Sequence, residues 1–277
     1  MSANGAGASR GRVWFAALTG EPGIVAGGAA SVLRGDARLG GELARFLAVV
    51  PNPNSRFPRA RNGEVGLEEG WTLAKYVRET IDGHAAGGAR RPIVAIVDVT
   101  SQAYGRTEEL MAIHVACAAA ADAYASARLA GHPIVALLVG RAMSGGFLAH
   151  GYQANRILAL DDPNVLVHAM SKAAAARITR RSLAELDALG ETVLPMSYDI
   201  RTYARLGLLH ELIDGVNADA PVPSEITRVR DALTAAVADA RNGPRDLTHR
   251  LTGPARAGSA EVRRRMAEQW SVSPAST

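Results

Sequence analysis

Residues 134–147 read IVALLVGRAMSGGF, an apolar run followed by a glycine, a short loop and a Ser-Gly-Gly step. An apolar run without alternation is typical of a strand that is covered on both faces, as in parallel sheets. A helix is predicted to begin at Phe147. Gly145 and Gly146 let backbone N–H groups face a small ligand there, and a helix N-terminus adds partial positive charge. The stretch therefore favours an oxyanion, and chemistry on an acyl group is the first hypothesis.

A second buried strand precedes this one along the chain. Ile93–Val97 is again apolar without alternation, and a loop at 98–105 follows it. Thr107 is expected to cap a long alanine-rich helix through Ala130, which leads into the strand at 134–139. Right-handed crossovers would set the two strands parallel, so that their carboxyl-end loops lie together. The sequence therefore predicts an α/β fold with a site at this edge of the sheet.

The remaining pattern suggests one main domain. A helix is predicted from Glu68 to Gly83, and another from its cap Ser224 to Gly243. Short strands are expected at 156–160 and 165–168. These elements give three expected parts: a disordered tail at 1–12, a domain at 13–245, and a basic helix with a loose tail at 246–277.

Composition excludes several classes of protein. No apolar stretch reaches the ~20 residues that span a bilayer, and residues 1–12 lack the apolar region of a signal peptide. Cys117 is the single cysteine, which indicates a reducing compartment such as the cytoplasm. A buried structural role is expected for its thiol. Aromatic residues make up only 5%, which argues against nucleic-acid binding, and the net charge of +4 fits a phosphate-bearing ligand or an acidic partner better.

The glycine step can be compared with known motifs. No Gly-Lys-Ser/Thr of a Walker A loop follows it, and the G-x-G-x-x-G spacing is absent. Ala142 to Gly146 approaches the nucleophile elbow G-x-S-x-G, which would make Ser144 a hydrolase nucleophile with Asp214 and His249 as partners. That signal is weak, because such small-x-Ser-x-Gly runs are common by chance.

An oxyanion site needs only backbone donors. Fixed N–H groups in a dry pocket stabilise the charge of an enolate by a few kcal/mol each. The alternative is that Gly145 and Gly146 merely permit tight packing between helix and strand. The loop with Ser101, Gln102 and Tyr104 would form the other half of the pocket, or else a simple polar turn.

Taken in order, several motifs resemble one family. Glu69-Gly70-Trp71, the loop at 97–106 and Gly140 to Gly146 resemble the carboxyltransferase branch of the crotonase superfamily. Three stretches are more specifically similar to the γ subunits of biotin-independent malonate decarboxylases, and these are Phe57 to Arg61, Val97 to Arg106 and Val167 to Lys172. Ser101-Gln102 replaces a Pro-Gly of the broader branch.

The resemblance implies a crotonase-like ββα superhelix (ClpP/crotonase fold) and a carboxy-lyase activity. It implies a heterodimer with a homologous β subunit, together with an acyl carrier protein δ subunit and an acyl-transferase α subunit. The substrate would be a malonyl thioester on a phosphopantetheine-type arm of the carrier protein, and the products CO2 and the acetyl thioester. No biotin, metal or directly bound cofactor is expected.

The same resemblance assigns roles to residues. Gly145 and Gly146 match the oxyanion donors, with Ser144 beside them and Ser101 and Gln102 in the facing loop. Tyr104, His150 and His168 are candidate proton donors, with an ordered water as the alternative. Three arginines are candidates for docking the carrier protein or holding a cofactor phosphate, and these are Arg56, Arg59 and Arg61. A second hypothesis makes the chain a non-catalytic partner that completes the site of the β subunit.

Overall fold

The apolar strands assemble into one sheet. The structure is a computed structural model that describes residues 9–21, 23, 27–83 and 88–272. In these ranges the strands are β1 (Val32–Leu39), β2 (Glu42–Val49), β3 (Ile93–Val99), β4 (Ile134–Met143), β5 (Arg156–Leu160), β6 (Leu166–His168) and β7 (Glu211–Ile213). Their order is β1-β2-β3-β4-β5-β7, and β6 pairs with β4 off this path.

The pairing directions put the strand ends where the sequence predicted them. β3 and β4 are parallel neighbours, with Ile93 opposite Ile134. β5 pairs with β4 over 135–138, whereas β6 pairs with the later part of β4, where His168 lies opposite Met143. The predicted parallel pairing is therefore confirmed, and the carboxyl ends of β3, β4 and β6 meet at one edge.

The described part of the chain contains ten α-helices. They are α1 (Arg10–Thr19), α2 (Leu67–Asp82), α3 (Arg106–Leu110), α4 (Ile113–Leu129), α5 (Ser144–Ala149), α6 (Lys172–Thr179), α7 (Leu183–Thr192), α8 (Ile200–Arg205), α9 (Pro223–Asn242) and α10 (Ala257–Val272). Helices α1 and α9 pack on the sheet, and helices α2, α4 and α5 also pack on it. Nearly every residue of β3 and β4 is buried, because helices cover both faces.

Three helix predictions need correction. The helix predicted from Thr107 to Ala130 is broken at Ala112, which has a left-handed φ of 61° and separates α3 from α4. α5 begins at Ser144 rather than at Phe147, since β4 continues to Met143. α9 begins at Pro223, one residue before the predicted cap Ser224, because proline suits a first helical position.

The sequence patterns did not predict the N-terminal elements α1, β1 and β2. α1 begins at Arg10, so the last three residues of the predicted tail are helical, and residues 1–8 lie outside the described ranges. β1 and β2 form an antiparallel hairpin around Gly40 and Gly41, both with positive φ. A Gly-Gly pair between apolar runs is a known hairpin signal. The predicted division of the chain into domains stays a prediction.

Candidate functional site

Two chain segments form the centre of the candidate site at the edge where β3 and β4 end. The loop from Thr100 to Gly105 follows β3, and α5 follows β4 without an intervening loop. Ser144 makes this abrupt change of direction with a left-handed φ of 53°. Two backbone hydrogen bonds to Val65 fix this loop. Val65 N–H donates to Ser101 O at 2.9 Å, and Ala103 N–H donates to Val65 O at 2.9 Å.

Gly145 is hydrogen-bonded to the facing loop. Its backbone N–H donates to the side-chain oxygen Oε1 of Gln102 at 2.8 Å. The Ser101 hydroxyl donates to the Gln102 backbone oxygen at 2.6 Å, which fixes the loop beside this contact. A backbone donor of the predicted oxyanion site is therefore occupied by the protein's own amide oxygen.

Gly146 has a packing role. A Cβ built on Gly146 would lie 2.4 Å from Ser101 O and 2.6 Å from Ser101 C, so only glycine fits against this backbone. A Cβ on Gly145 would instead meet Gln102 Oε1 at 3.0 Å, the far end of a flexible side chain. The structure thus brings Gly145, Gly146, Ser101 and Gln102 together, as the sequence predicted.

Ser144 is not arranged as a nucleophile. Its hydroxyl donates to Ala169 O at 2.7 Å, which ties α5 to the segment after β6. Asp214 lies 3.9 Å from Arg228, and the charged neighbours of His249 are Arg156, Arg250 and Asp246. Among the described residues, no hydrogen bond joins Ser144 to His249 or His249 to Asp214, so the hydrolase hypothesis lacks its triad.

His168 lies at the end of β6 beside this segment. Its ring stacks on Tyr198 with centroids 3.9 Å apart, and its Nδ1 lies 3.0 Å from Met170 O. Burial lowers the pKa of His168, so its neutral form is favoured. The structure leaves this ring near the Ser144 segment as a candidate proton carrier.

His150 has a structural environment instead. It is fully buried, with Nδ1 3.0 Å from the Tyr124 hydroxyl and Nε2 2.9 Å from Ile96 O. Burial lowers the pKa of His150 to about 4. Both ring nitrogens are engaged, so this histidine joins β3, α4 and α5 and is poorly placed to protonate a substrate.

The remaining predicted residues lie on the surface next to the loop. Tyr104 is 52% exposed, and Arg59 packs beside Gly105, with its Cγ 3.4 Å from a Cβ built there. Arg56 pairs with Glu68 at 2.7 Å, and Arg61 Nε donates to Ser55 O at 2.8 Å. Of the three arginines, Arg59 is the one whose guanidinium has no hydrogen bond or ion pair in the described part of the chain.

A cavity of about 340 Å³ adjoins Gln102 and Gly145. Its walls come from α4 and α5 and are mainly apolar, and they include Ile113, Cys117 and Leu148, none of which the sequence singled out as site residues. The Cys117 thiol is half-buried in this wall, and burial raises its pKa to about 11. The helical spacing of residues 113, 117 and 121 was the signal that would have revealed this wall.

The Glu69-Gly70-Trp71 motif lies in the first turns of α2 and has a mainly structural role. The Glu69 carboxylate is buried and accepts from Gly66 N–H at 3.0 Å and from the Ser31 hydroxyl, and burial raises its pKa. A Cβ on Gly70 would lie 2.7 Å from the backbone of Ala116, so glycine permits α2 to cross α4 closely. Trp71 is 52% exposed. Two of the three motif residues therefore act through packing and capping.

Comparison with known proteins assigns the family. Residues 60–270 match the family described as MdcE, malonate decarboxylase gamma subunit. The chain belongs to the malonate decarboxylase gamma subunit family. A Pseudomonas malonate decarboxylase hetero-tetramer, solved with coenzyme A, contains a chain that is 56% identical, with a TM-score of 0.91 over 95% of this chain and 100% of that one. The Pseudomonas MdcD-MdcE hetero-dimer gives 56% identity and a TM-score of 0.88 over the same shares.

The chain is also similar to more distant proteins that are carboxyltransferases. The malonyl-S-ACP:biotin-protein carboxyltransferase MADD of Malonomonas rubra is 37% identical over 195 residues, which are 69% of this chain and 66% of that protein. Transcarboxylase 12S has the same fold at 19% identity, with a TM-score of 0.64 over 88% of this chain and 43% of that one. The crotonase-like fold predicted from the sequence is therefore confirmed.

Among the described residues, no helix combines the length and the apolar character that spanning a bilayer requires. No group of three or more His, Cys, Asp or Glu side chains in the same ranges is placed to hold a metal ion.

Proposed function

We propose that the chain is the γ subunit of a biotin-independent malonate decarboxylase and works in a heteromer. The partners are a homologous β subunit, an acyl carrier protein and an acyl-transferase α subunit. The observation that carries this proposal is the 56% identity over the whole of a chain from the Pseudomonas malonate decarboxylase hetero-tetramer. The cytoplasm is the proposed location, because Cys117 is the only cysteine of the sequence.

The proposed reaction breaks the bond between the free carboxylate and the central carbon of a malonyl thioester. CO2 leaves, and the electron pair moves onto the thioester carbonyl as an enolate. A proton then adds at carbon and gives the acetyl thioester. This step needs no general base; it needs a site that strips water from the carboxylate and stabilises the charge on the enolate oxygen.

The geometry at α5 suits that requirement. Gly145 lies at the border between the Gln102 loop and the apolar cavity of about 340 Å³, which is the proposed place for the end of the thioester arm. For Gly145 N–H to face an enolate oxygen, the Gln102 amide oxygen, now 2.8 Å away, must move aside. His168 and Tyr104 are the proposed proton carriers, and Arg59 is the proposed contact for a phosphate of the arm.

A second function rests on the same contacts. The Gly145 N–H already has an acceptor, and Gly146 is explained by its packing on Ser101. These observations favour a chain that completes the active site of the β subunit without itself holding the enolate. Blocking Gly145 distinguishes the two functions, because it abolishes CO2 release only if this chain holds the enolate.

The test is to co-express the chain with its genomic neighbours and to separate the complexes by gel filtration. The proposal predicts a stable heteromer that releases CO2 from a malonyl thioester in the absence of biotin. It also predicts that blocking Gly145 abolishes this release while the heteromer persists. A chain that forms no heteromer, or a complete complex that releases no CO2, would contradict the proposal.

A further inference from the structure

Positive charge is concentrated around the connection between α6 and α7. We define the basic corner as Arg177, Ile178, Arg180, Arg181 and Leu183, which are all exposed. From residue 171 to residue 184 the sequence contains four cationic residues and no Asp or Glu. The corner is therefore a concentrated cationic surface on a chain of modest net charge.

The three arginines of the corner are exposed, and one of them, Arg181, also acts on the Glu185 carboxylate, whose pKa is lowered first by its hydrogen bonds to Ser182 and further by the Arg181 charge. No ion pair within 4.0 Å involves Arg177, Arg180 or Arg181 in the part of the chain that the structure describes, whereas Lys172 pairs with Asp187 at 2.5 Å. The acidic residue that follows them, Glu185, accepts from Ser182 N–H at 2.7 Å and from its hydroxyl at 2.8 Å. That carboxylate is held as the cap of α7.

Apolar side chains lie between these charges. Ile178 is 68% exposed and Leu183 is 52% exposed, although both are large aliphatic residues. A free phosphate would be held by arginines alone. Exposed aliphatic residues among unpaired arginines instead match a protein surface with acidic residues around an apolar contact.

The corner is also close to the candidate site along the fold. Ala169, which accepts the hydrogen bond from Ser144, lies three residues before the start of α6. α6 has eight residues and so is about 12 Å long. A partner bound at its far end would lie one short helix away from the segment that contacts Ser144, within reach of a flexible arm.

We infer that the basic corner docks the acidic surface of the carrier protein that delivers the malonyl thioester. This inference rests on the proposed function for the identity of the partner. It assigns the body of the carrier protein to the corner, and leaves Arg59 beside the candidate loop for the arm.

The experiment uses the heteromer with the β subunit and the variant R177E/R180E/R181E. Two substrates are compared: the malonyl carrier protein, and the small thioester malonyl-N-acetylcysteamine, which has no protein to dock. We expect KM for the carrier-bound substrate to rise at least tenfold at low salt, with KM and kcat for the small thioester unchanged. Because the attraction is between exposed charges, the difference shrinks as salt is raised.

A matched control is R263E/R264E/R265E on α10, which makes the same change of charge on another exposed helix. It is expected to leave both substrates unaffected. Four results would overturn the inference: no change with the corner variant, an equal change for both substrates, dissociation of the heteromer in gel filtration, or the same loss with the α10 control.

A direct titration separates this inference from the proposed function. If the heteromer releases no CO2 even from the small thioester, the proposed function fails. Calorimetric titration of the carrier protein into wild-type and corner-variant heteromer then still decides the docking question. Weaker binding to the variant supports the basic corner, and equal or absent binding to both overturns it.

Discussion

The backbone N–H of Gly145 donates to the side-chain oxygen of Gln102 at 2.8 Å. This oxygen occupies the position that a charged substrate oxygen would take if Gly145 is an oxyanion donor. The protein's own amide thus satisfies a donor at the candidate site. Any substrate that uses this donor has to displace a neutral amide, which is easier to displace than a charged group.

Variants of Gln102 test this relationship. Gln102→Ala removes the competing oxygen, so the complex should keep its kcat and show an equal or lower KM for the malonyl thioester. Gln102→Glu places a carboxylate at the donor and should lower kcat/KM by about tenfold or more, or about 1.4 kcal/mol in the activation barrier. Steady-state kinetics of CO2 release measures both. Complete loss of activity in a folded Gln102→Ala complex would mean that the amide is required by the reaction.

The two neighbouring glycines should differ in stability. Gly146→Ala forces a Cβ against the Ser101 carbonyl, so α5 must shift, and the free energy of unfolding should fall by about 2 kcal/mol. Gly145→Ala displaces only the end of Gln102 and should cost less than about 1 kcal/mol. Thermal or urea unfolding of the two variants makes the comparison, and equal losses would contradict the packing described here.

That difference determines which glycine can test catalysis. Gly145→Val should abolish CO2 release while the heteromer stays intact in gel filtration, because the larger side chain blocks the donor. Gly146→Val would disturb the fold as well, so its loss of activity would not discriminate. Undiminished activity in the intact Gly145→Val heteromer would favour the non-catalytic partner over the catalytic subunit.

Ser144→Ala separates structure from nucleophilic chemistry. The substitution removes the hydrogen bond to Ala169 and should lower the free energy of unfolding by about 1 kcal/mol. Turnover should stay within a few-fold of the wild-type value, and a fluorophosphonate probe should not label the wild-type protein. Labelling at Ser144, with inactivity of the alanine variant, would restore the hydrolase hypothesis.

His150 should make the fold sensitive to acid. Its pKa is about 4 in the folded chain against 6.5 for an ordinary histidine, so the unfolded chain binds a proton that the folded chain does not. The contribution of neutral His150 to the free energy of unfolding is therefore fully present above pH 6.5. It declines as the pH falls toward 4, by about 2 kcal/mol between pH 7 and pH 5.

The check is urea unfolding at pH 7 and pH 5 for the wild type and for His150→Asn. The variant should be less stable at both values, because the hydrogen bonds to Tyr124 and Ile96 are weakened. Between pH 7 and pH 5, the free energy of unfolding of the variant should also fall less than that of the wild type, because the part caused by His150 is absent. An identical decline in both proteins would show that other groups cause it.

The sequence predicted the elements that have strong local patterns. The strands β3 and β4 are continuous apolar runs, and glycines at 145 and 146 follow the second one, so their position at one sheet edge could be derived. The hairpin β1–β2 was missed although Gly40-Gly41 marks its turn. Its strands carry Arg34, Asp36, Arg38 and Arg45, and these charges hide the strand pattern.

The interactions of the site depend on tertiary contacts that no local pattern encodes. The hydrogen bond between Gln102 and Gly145 depends on a side-chain rotamer and on the approach of the loop after β3 to the first turn of α5. The stack of His168 on Tyr198 joins residues 30 positions apart along the chain. The role of Gly146 depends on how closely its backbone lies to that of Ser101, where an added Cβ would be only 2.4 Å from the carbonyl oxygen.

The fate of the free carboxylate of the substrate distinguishes a biotin-independent decarboxylase from a carboxyltransferase. The complex is given malonyl carrier protein with an isotopic label in that carboxylate, first alone and then with a biotinyl carrier protein. We expect the label to leave as CO2 at the same rate in both cases. Release of label only when the biotinyl protein is present, or label found on its biotin, would exclude biotin-independent decarboxylation and indicate a carboxyltransferase.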